Sequence, residues 1–214
     1  MTRRSARRPL IQSAGICFRL CRLNAEPATG RPTAWLVENE DLLPRGGDAL
    51  DVACGRGRHA LWLAEHGFTV RAVDRDAEAV DALREESTRR RLNVQAGVLD
   101  LETGTPWLGD AGYDVIVVVH YLHRPLFPWL IRALRPGGML VYETFTRAQA
   151  ARGKPSNPVF LLEPGELRRL VQPLRVVKDR EGVFEDRDVA SIIAVRATTP
   201  PFEEEAADGT QADR

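Results

Sequence analysis

Nowhere in the 214 residues do eighteen apolar residues run together, so no membrane-spanning helix is expected. Net charge is equally absent. Thirty basic and thirty acidic residues cancel, which leaves no overall field to recruit nucleic acid or a membrane surface. Cysteine is scarce and odd in number: Cys17, Cys21 and Cys54 cannot all pair, and Cys54 lies inside a glycine turn. A disulfide framework is therefore not expected, and a cytoplasmic location is. Cys17-x-x-x-Cys21 has no second ligand pair downstream, so no metal site is assigned. Lysine is nearly missing as well. Lys154 and Lys178 are the only two, a coding bias without chemical meaning.

What remains is the composition of one ordinary globular domain, 43% apolar and 28% charged. Arg3, Arg4, Arg7 and Arg8 load the start and Glu203, Glu204, Glu205, Asp208 and Asp213 load the end. Such blocks read as solvated tails. Residues 1–30 are therefore expected to be a disordered basic extension, 31–198 the folded domain and 199–214 a disordered acidic tail. The arginine-rich start superficially suits a transit peptide, but Arg19 and Arg22 interrupt any signal-like apolar core.

The most informative segment runs from Asp51 to Ala60 and is followed by a lone acid at Asp74. Gly55-x-Gly57-x-x-Ala60 stands between an apolar strand-like run and an amphipathic helix, with Asp74 nineteen residues past Gly55. That is close to the ~20 of a dinucleotide fingerprint, although so short a glycine pattern also occurs in purely structural turns. The glycines permit close backbone approach, and the helix amides that follow suit an anionic or strongly polar group. Asp51, inside the strand end, is a carboxylate that needs a partner there, such as the turn amides or a cationic ligand group. A side chain at Gly57 is expected to block the ligand and leave the fold intact.

The hydrophobic period alternates along the chain. A short helix is expected over 33–43, strands over 48–53, 68–74, 93–99, 113–119 and 139–145, and helices from Arg58 to His66, after the Asp76 cap, and from Arg124 to Leu134. Alternation of this kind specifies parallel strands with right-handed crossovers. Leu174 to Lys178 and Val189 to Ala197, joined by a charged loop without a helix, read instead as an antiparallel hairpin at the sheet edge.

With Asp51-x-Ala53-x-Gly55-x-Gly57, the second-strand acid Asp74, Pro136-Gly137-Gly138 before a strand and the closing hairpin, the chain resembles the class I S-adenosylmethionine-dependent methyltransferases over roughly 33–197. Tyr142-Glu143-Thr144-Phe145, the stretch 153–158 and Phe160-Leu161-Leu162 are similar to a bacterial tellurite-resistance-like subgroup of small-molecule enzymes. The resemblance implies an α/β fold: a doubly wound, mostly parallel seven-stranded sheet of the Rossmann-like methyltransferase type with an antiparallel C-terminal hairpin. Ala53 departs from the family's glycine, which weakens any requirement for a positive φ there.

The resemblance also implies S-adenosylmethionine as cofactor and direct in-line transfer of its methyl group to a small-molecule acceptor, with no nucleic-acid or membrane partner. The amides near Gly55, Arg56 and Gly57 would meet the cofactor's carboxylate, and Asp51 or the Ala53 carbonyl its ammonium. Cys54 lines the same turn. Asp74, with Arg75 beside it, would hold the ribose, Asp100 and Leu101 the adenine, and His120 would lie near the methyl group. His120, Tyr121 and His123 are the candidate catalytic residues, a histidine being able to take a proton near neutral pH. Glu143, Arg147 and the segment 154–160 are candidates for a lid. Three other readings stand beside this one: a nicotinamide-dependent oxidoreductase, an RNA-directed methyltransferase using the arginines of the amino-terminal tail and Arg89-Arg90-Arg91, and a non-catalytic cofactor-binding protein. The absence of an Asn-Pro-Pro-aromatic tetrad after the fourth strand argues against methylation of base amines.

Overall fold

A computed structural model describes residues 30–103 and 108–198. The expected tails, with Cys17 and Cys21, lie outside the described residues. Among the described residues one sheet has seven strands: β1 Gly47–Val52, β2 Phe68–Asp74, β3 Val94–Val98, β4 Tyr113–Val119, β5 Leu134–Phe145, β6 Arg175–Phe184 and β7 Arg187–Val195. Their order is β3-β2-β1-β4-β5-β7-β6. The first five are parallel, and β7 runs antiparallel to both β5 and β6. The order reverses between β1 and β4, which opens a crevice at their carboxyl ends.

Two cores form because the central strands are covered on both faces. Val115 and Val117 of β4 join Ala49, Val141 and Ile193 beneath α1 (Ala34–Val37), α2 (Arg58–Glu65) and α3 (Ala77–Arg90). Ile116 and Val118 face the other way, toward Leu50, Leu140 and Tyr142, under α4 (Phe127–Ala133) and α5 (Glu166–Leu170). A strand buried on both faces has no polar side to display, hence the unbroken apolar run of β4. Asp76 caps α3 by accepting from the Glu78 and Ala79 amides.

Several boundaries differ from expectation. The helix expected over 33–43 splits into α1 and a 3-10 turn, Glu40–Leu42. The fifth strand starts at Leu134, and Pro136-Gly137-Gly138 is part of it, opposite a bulge between Tyr113 and Val115. A Cβ on Gly138 would lie 2.8 Å from the Tyr113 carbonyl oxygen, so only glycine fits. In the hairpin, the expected charged loop is itself strand. The reversal takes two residues, Glu185 and Asp186, both at positive φ (49° and 60°), the geometry that matches strand twist. β7 lies inside the sheet and β6 is the outer strand.

β1 ends one residue early because Ala53 takes a left-handed backbone, φ 54°. The position therefore does have the positive φ that its alanine argued against. A left-handed alanine costs roughly 1–2 kcal/mol, partly offset in a comparison with glycine by glycine's greater unfolded freedom. Ala53→Gly should raise stability by about 0.5–1 kcal/mol, read from denaturant unfolding.

Candidate functional site

The turn after β1 is built by two acids with different tasks. Asp51 is 1% exposed and points inward, accepting from the Ala60 amide of α2 at 2.9 Å. Burial pushes its carboxyl up to about 7, against the pull of that amide, and the charge of Asp74 adds to the rise. Asp51 thus fastens α2 to the strand end through an amide that follows the turn. A raised carboxyl keeps its proton longer in the folded chain than in the unfolded one. The stability it contributes is complete below an exposed aspartate's 3.8 and is lost as pH rises toward 7. Asp51→Asn keeps an oxygen for Ala60 and cannot ionise. Its melting temperature relative to the native protein should therefore improve between pH 5 and pH 8, and a pH-independent difference would contradict this assignment.

Asp74 ends β2 half-buried, with Oδ2 accepting from the Gly55 amide at 2.7 Å and Oδ1 from the Asp76 amide at 2.9 Å. Each carboxylate oxygen has a second lone pair, so two acceptor sites remain for a ligand. The glycines differ. Gly55 has φ 53°, and a Cβ there would meet nothing within 4 Å, so its turn faces open space. Gly57 has φ 78°, and a Cβ there would lie 2.3 Å from Leu83 Cδ1. The expectation that Gly57 clears a path for a ligand is corrected: it lets α2 pack on α3. Cys54 is buried, with its thiol 3.5 Å from the Gly55 carbonyl oxygen. Burial, with Asp51 and Asp74 nearby, pushes that thiol up and keeps it protonated.

At the end of β3, Asp100 accepts from the Glu102 amide at 2.9 Å, Leu101 is buried in the core, and Arg75 pairs with Glu102 at 3.6 Å. Asp100 is thus a turn former and is partly buried. Across the crevice His120 follows β4 at φ 58° and lies flat on Phe145, with ring centroids 4.6 Å apart. Its Nδ1 is 3.5 Å from Arg58 Nη2 and its Nε2 3.4 Å from Arg187 Nη1. Burial first, then Arg187 and Arg58, hold the imidazole down to about 3. This corrects the expectation that His120 titrates near neutral pH: it stands neutral between two guanidinium groups.

The other two candidates do not converge with it. Tyr121 packs against the α4 side of the core, and its carbonyl accepts from Tyr142 Oη at 2.7 Å. His123 opens a 3-10 turn through its carbonyl, which accepts from the Leu126 amide at 3.0 Å, and its side chain makes no cap. The expected lid is fastened down: Arg124 donates to the carbonyls of Val159 and Leu161, Gln149 to that of Lys154, and Arg147 pairs with Glu163. Glu143 is 4% exposed and accepts from Thr33 Oγ1, from Ser191 Oγ at 2.7 Å and from Arg180 at 3.4 Å. With the Thr33 amide donating to His59 Nε2 at 3.2 Å, the approach to α1 is tied across the crevice mouth. A cavity of about 260 Å³ lies beneath it, lined by Arg31, Thr33, Arg58, His120, Glu185 and Arg187. Sequence reasoning missed this arginine group. A larger cavity, about 300 Å³, opens at the opposite sheet edge between Asp48, Thr69, Arg71 and Tyr113, at the amino ends of the strands, where such sheets do not hold ligands.

Among the described residues no three or more His, Cys, Asp or Glu side chains gather to hold a metal ion, and no helix is long and apolar enough to cross a membrane. Comparison with known proteins puts a methyltransferase domain match at residues 49–138, which contains both glycines, Asp51, Asp74 and His120. A ubiquinone biosynthesis O-methyltransferase of Coxiella burnetii is 31% identical over 114 residues, covering 50% of this chain and 47% of that protein. Hemagglutinin 1 of Eikenella corrodens is 29% identical over 143 residues, covering 63% and 46%. TehB of Haemophilus influenzae, a probable S-adenosyl-L-methionine-dependent methyltransferase, is 28% identical over 89 residues, covering 40% and 30%. Its crystal structure superposes with a TM-score of 0.63 at 18% identity, over 76% of this chain and 61% of that one. The chain spans about half the length, or less, of these curated relatives. The shared architecture is the Rossmann-like methyltransferase fold.

Proposed function

We propose that this chain, with its methyltransferase domain match at residues 49–138, is an S-adenosylmethionine-dependent methyltransferase acting on a small molecule. One observation carries the reading: the second-strand acid Asp74 holds the Gly55 turn, and that turn faces open space at the point where the strand order reverses. The folded unit spans 31–198, and the location is cytoplasmic.

The residues present fit this cofactor. Asp74 has two acceptor sites left for the ribose hydroxyls, and the Gly55 turn leaves room for the amino-acid end. Asp100 and Leu101, just beyond the end of β3, are read as the neighbours of the adenine. When bound, S-adenosylmethionine supplies a methyl group on a sulfonium sulfur, an electrophile that needs no protein nucleophile. The chain's work is then to orient donor and acceptor, which accounts for roughly 7–11 kcal/mol of barrier lowering when geometry is held well. His120, neutral and clamped on Phe145, orients rather than ionises. Tyr121 and His123 take no catalytic part in this reading.

A small acceptor is favoured over RNA because, of the two basic segments in the sequence, the one within the described residues is already engaged. Arg89 and Arg90 pair with Glu86, and Arg90 also with Glu65, so these arginines present no free basic stripe. The test is radiolabelled methyl transfer from S-adenosylmethionine to a metabolite panel and to bulk RNA. Label in a metabolite fraction is expected, and label only in RNA would overturn the small-molecule assignment.

A further inference from the structure

We propose that the 260 Å³ cavity beside His120 is the acceptor subsite and receives a carboxylate, so that the substrate is a small organic acid. This rests on the methyltransferase reading and names the substrate class for the same crevice. Three guanidinium groups from distant segments meet there: Arg31 before α1, Arg58 at the start of α2 and Arg187 at the start of β7. Glu185 is the single carboxylate in the lining. Guanidinium groups thus outnumber carboxylates in the lining, and His120 between Arg58 and Arg187 adds no charge. Planar guanidinium forks match a carboxylate's two oxygens, and one guanidinium supplies two parallel donors to it. A cationic acceptor would be repelled.

The position separates this subsite from the adenosine side. Asp74 ends β2 and Asp100 follows β3, on one flank of β1, whereas His120 follows β4 and Arg187 starts β7 on the other. The hairpin sets that arrangement. Its two-residue turn holds Glu185, and the register that pairs Phe145 with Val189 carries Arg187 to the end of β5. The volume lies just below the ~300–1,000 Å³ of sites for drug-sized ligands, so a small acid, or the acid group of a larger one, fits.

The full chain is titrated calorimetrically with acetate, benzoate and malonate, each against its neutral amide, with and without saturating S-adenosylhomocysteine. At least one carboxylate should bind the loaded protein saturably while its amide does not. Arg187→Gln should weaken that carboxylate tenfold or more with S-adenosylhomocysteine affinity within twofold of native, and Arg187→Lys should recover part of the loss. The proposal is overturned if no carboxylate binds, if Arg187→Gln binds equally well, or if the carboxylates displace S-adenosylhomocysteine, which would give the arginines to the cofactor's own carboxylate. Failure of S-adenosylhomocysteine to bind the native protein removes the methyltransferase reading instead, and the carboxylate site is then judged by the same criteria on the unloaded titrations.

Discussion

Asp74→Ala should weaken binding of S-adenosylmethionine by roughly ten- to a hundred-and-fifty-fold, the ~1.5–3 kcal/mol typical of hydrogen bonds to a charged group. The substitution removes two things at once. It takes away the acceptor sites left for the ribose, and it releases the Gly55 and Asp76 amides that Asp74 now holds at 2.7 and 2.9 Å. Both amides lie beside the crevice, where water can replace the lost partner, so the fold should survive while affinity falls. Asp74→Asn separates the parts: it keeps one oxygen acceptor but loses the charge, and should fall between alanine and the native protein. Calorimetric titration with S-adenosylhomocysteine checks the series. Unchanged affinity in Asp74→Ala would take this residue out of the site.

Gly57→Val should damage folding rather than ligand access. The new Cβ would sit 2.3 and 2.5 Å from the two Leu83 methyl carbons, on a backbone at φ 78°. Overpacking costs about 1–3 kcal/mol and a left-handed side chain about 1–2, so a loss of about 2–5 kcal/mol is expected. For a chain of this size that lowers the melting temperature by on the order of 10 °C. Gly55→Asn is the converse case. Asparagine tolerates a left-handed backbone, and its Cβ meets nothing within 4 Å, so the melting temperature should barely move. Its side chain would fill the space above the turn and should weaken S-adenosylhomocysteine binding tenfold or more. The reverse pattern, a folded Gly57→Val that cannot bind and a Gly55→Asn that binds normally, would exchange the roles of the two glycines.

The fold was largely legible in the sequence because its signals are local. β2 and β4 fall on the residues expected, since an apolar run ending in Asp74 and another from Tyr113 to Val119 have no competing pattern. The hairpin was legible in kind but not in extent. The charged stretch after Lys178 reads as a loop, whereas it continues β6, whose solvent-facing side accommodates charge. The start of β5 was hidden because Pro136-Gly137-Gly138 reads as a turn. Only the bulge opposite Tyr113 makes room for it as strand.

The site divides along the same line. Gly55, Asp74 and Asp100 stand close together in the sequence or at strand ends that can be counted. Asp51 was singled out correctly as a buried acid in need of a partner, but nothing in the sequence says that the partner is the Ala60 amide. The direction of Gly57, toward Leu83, depends on how α2 and α3 pack. The arginine group is the clearest case of long-range assembly: Arg31, Arg58 and Arg187 meet only through the register of β7 on β5 and the Thr33 ties across the crevice. The low titration of His120 follows first from its burial and then from Arg187 and Arg58, all products of the assembled fold.

We propose that the crevice between the ends of β1 and β4 holds a nucleoside cofactor through Asp74. In a crystal of the full chain soaked with S-adenosylhomocysteine, the ribose hydroxyls should lie within hydrogen-bond distance of Asp74 and the amino-acid end over Gly55. A ligand bound elsewhere, or a crevice filled by the protein's own side chains, would overturn this.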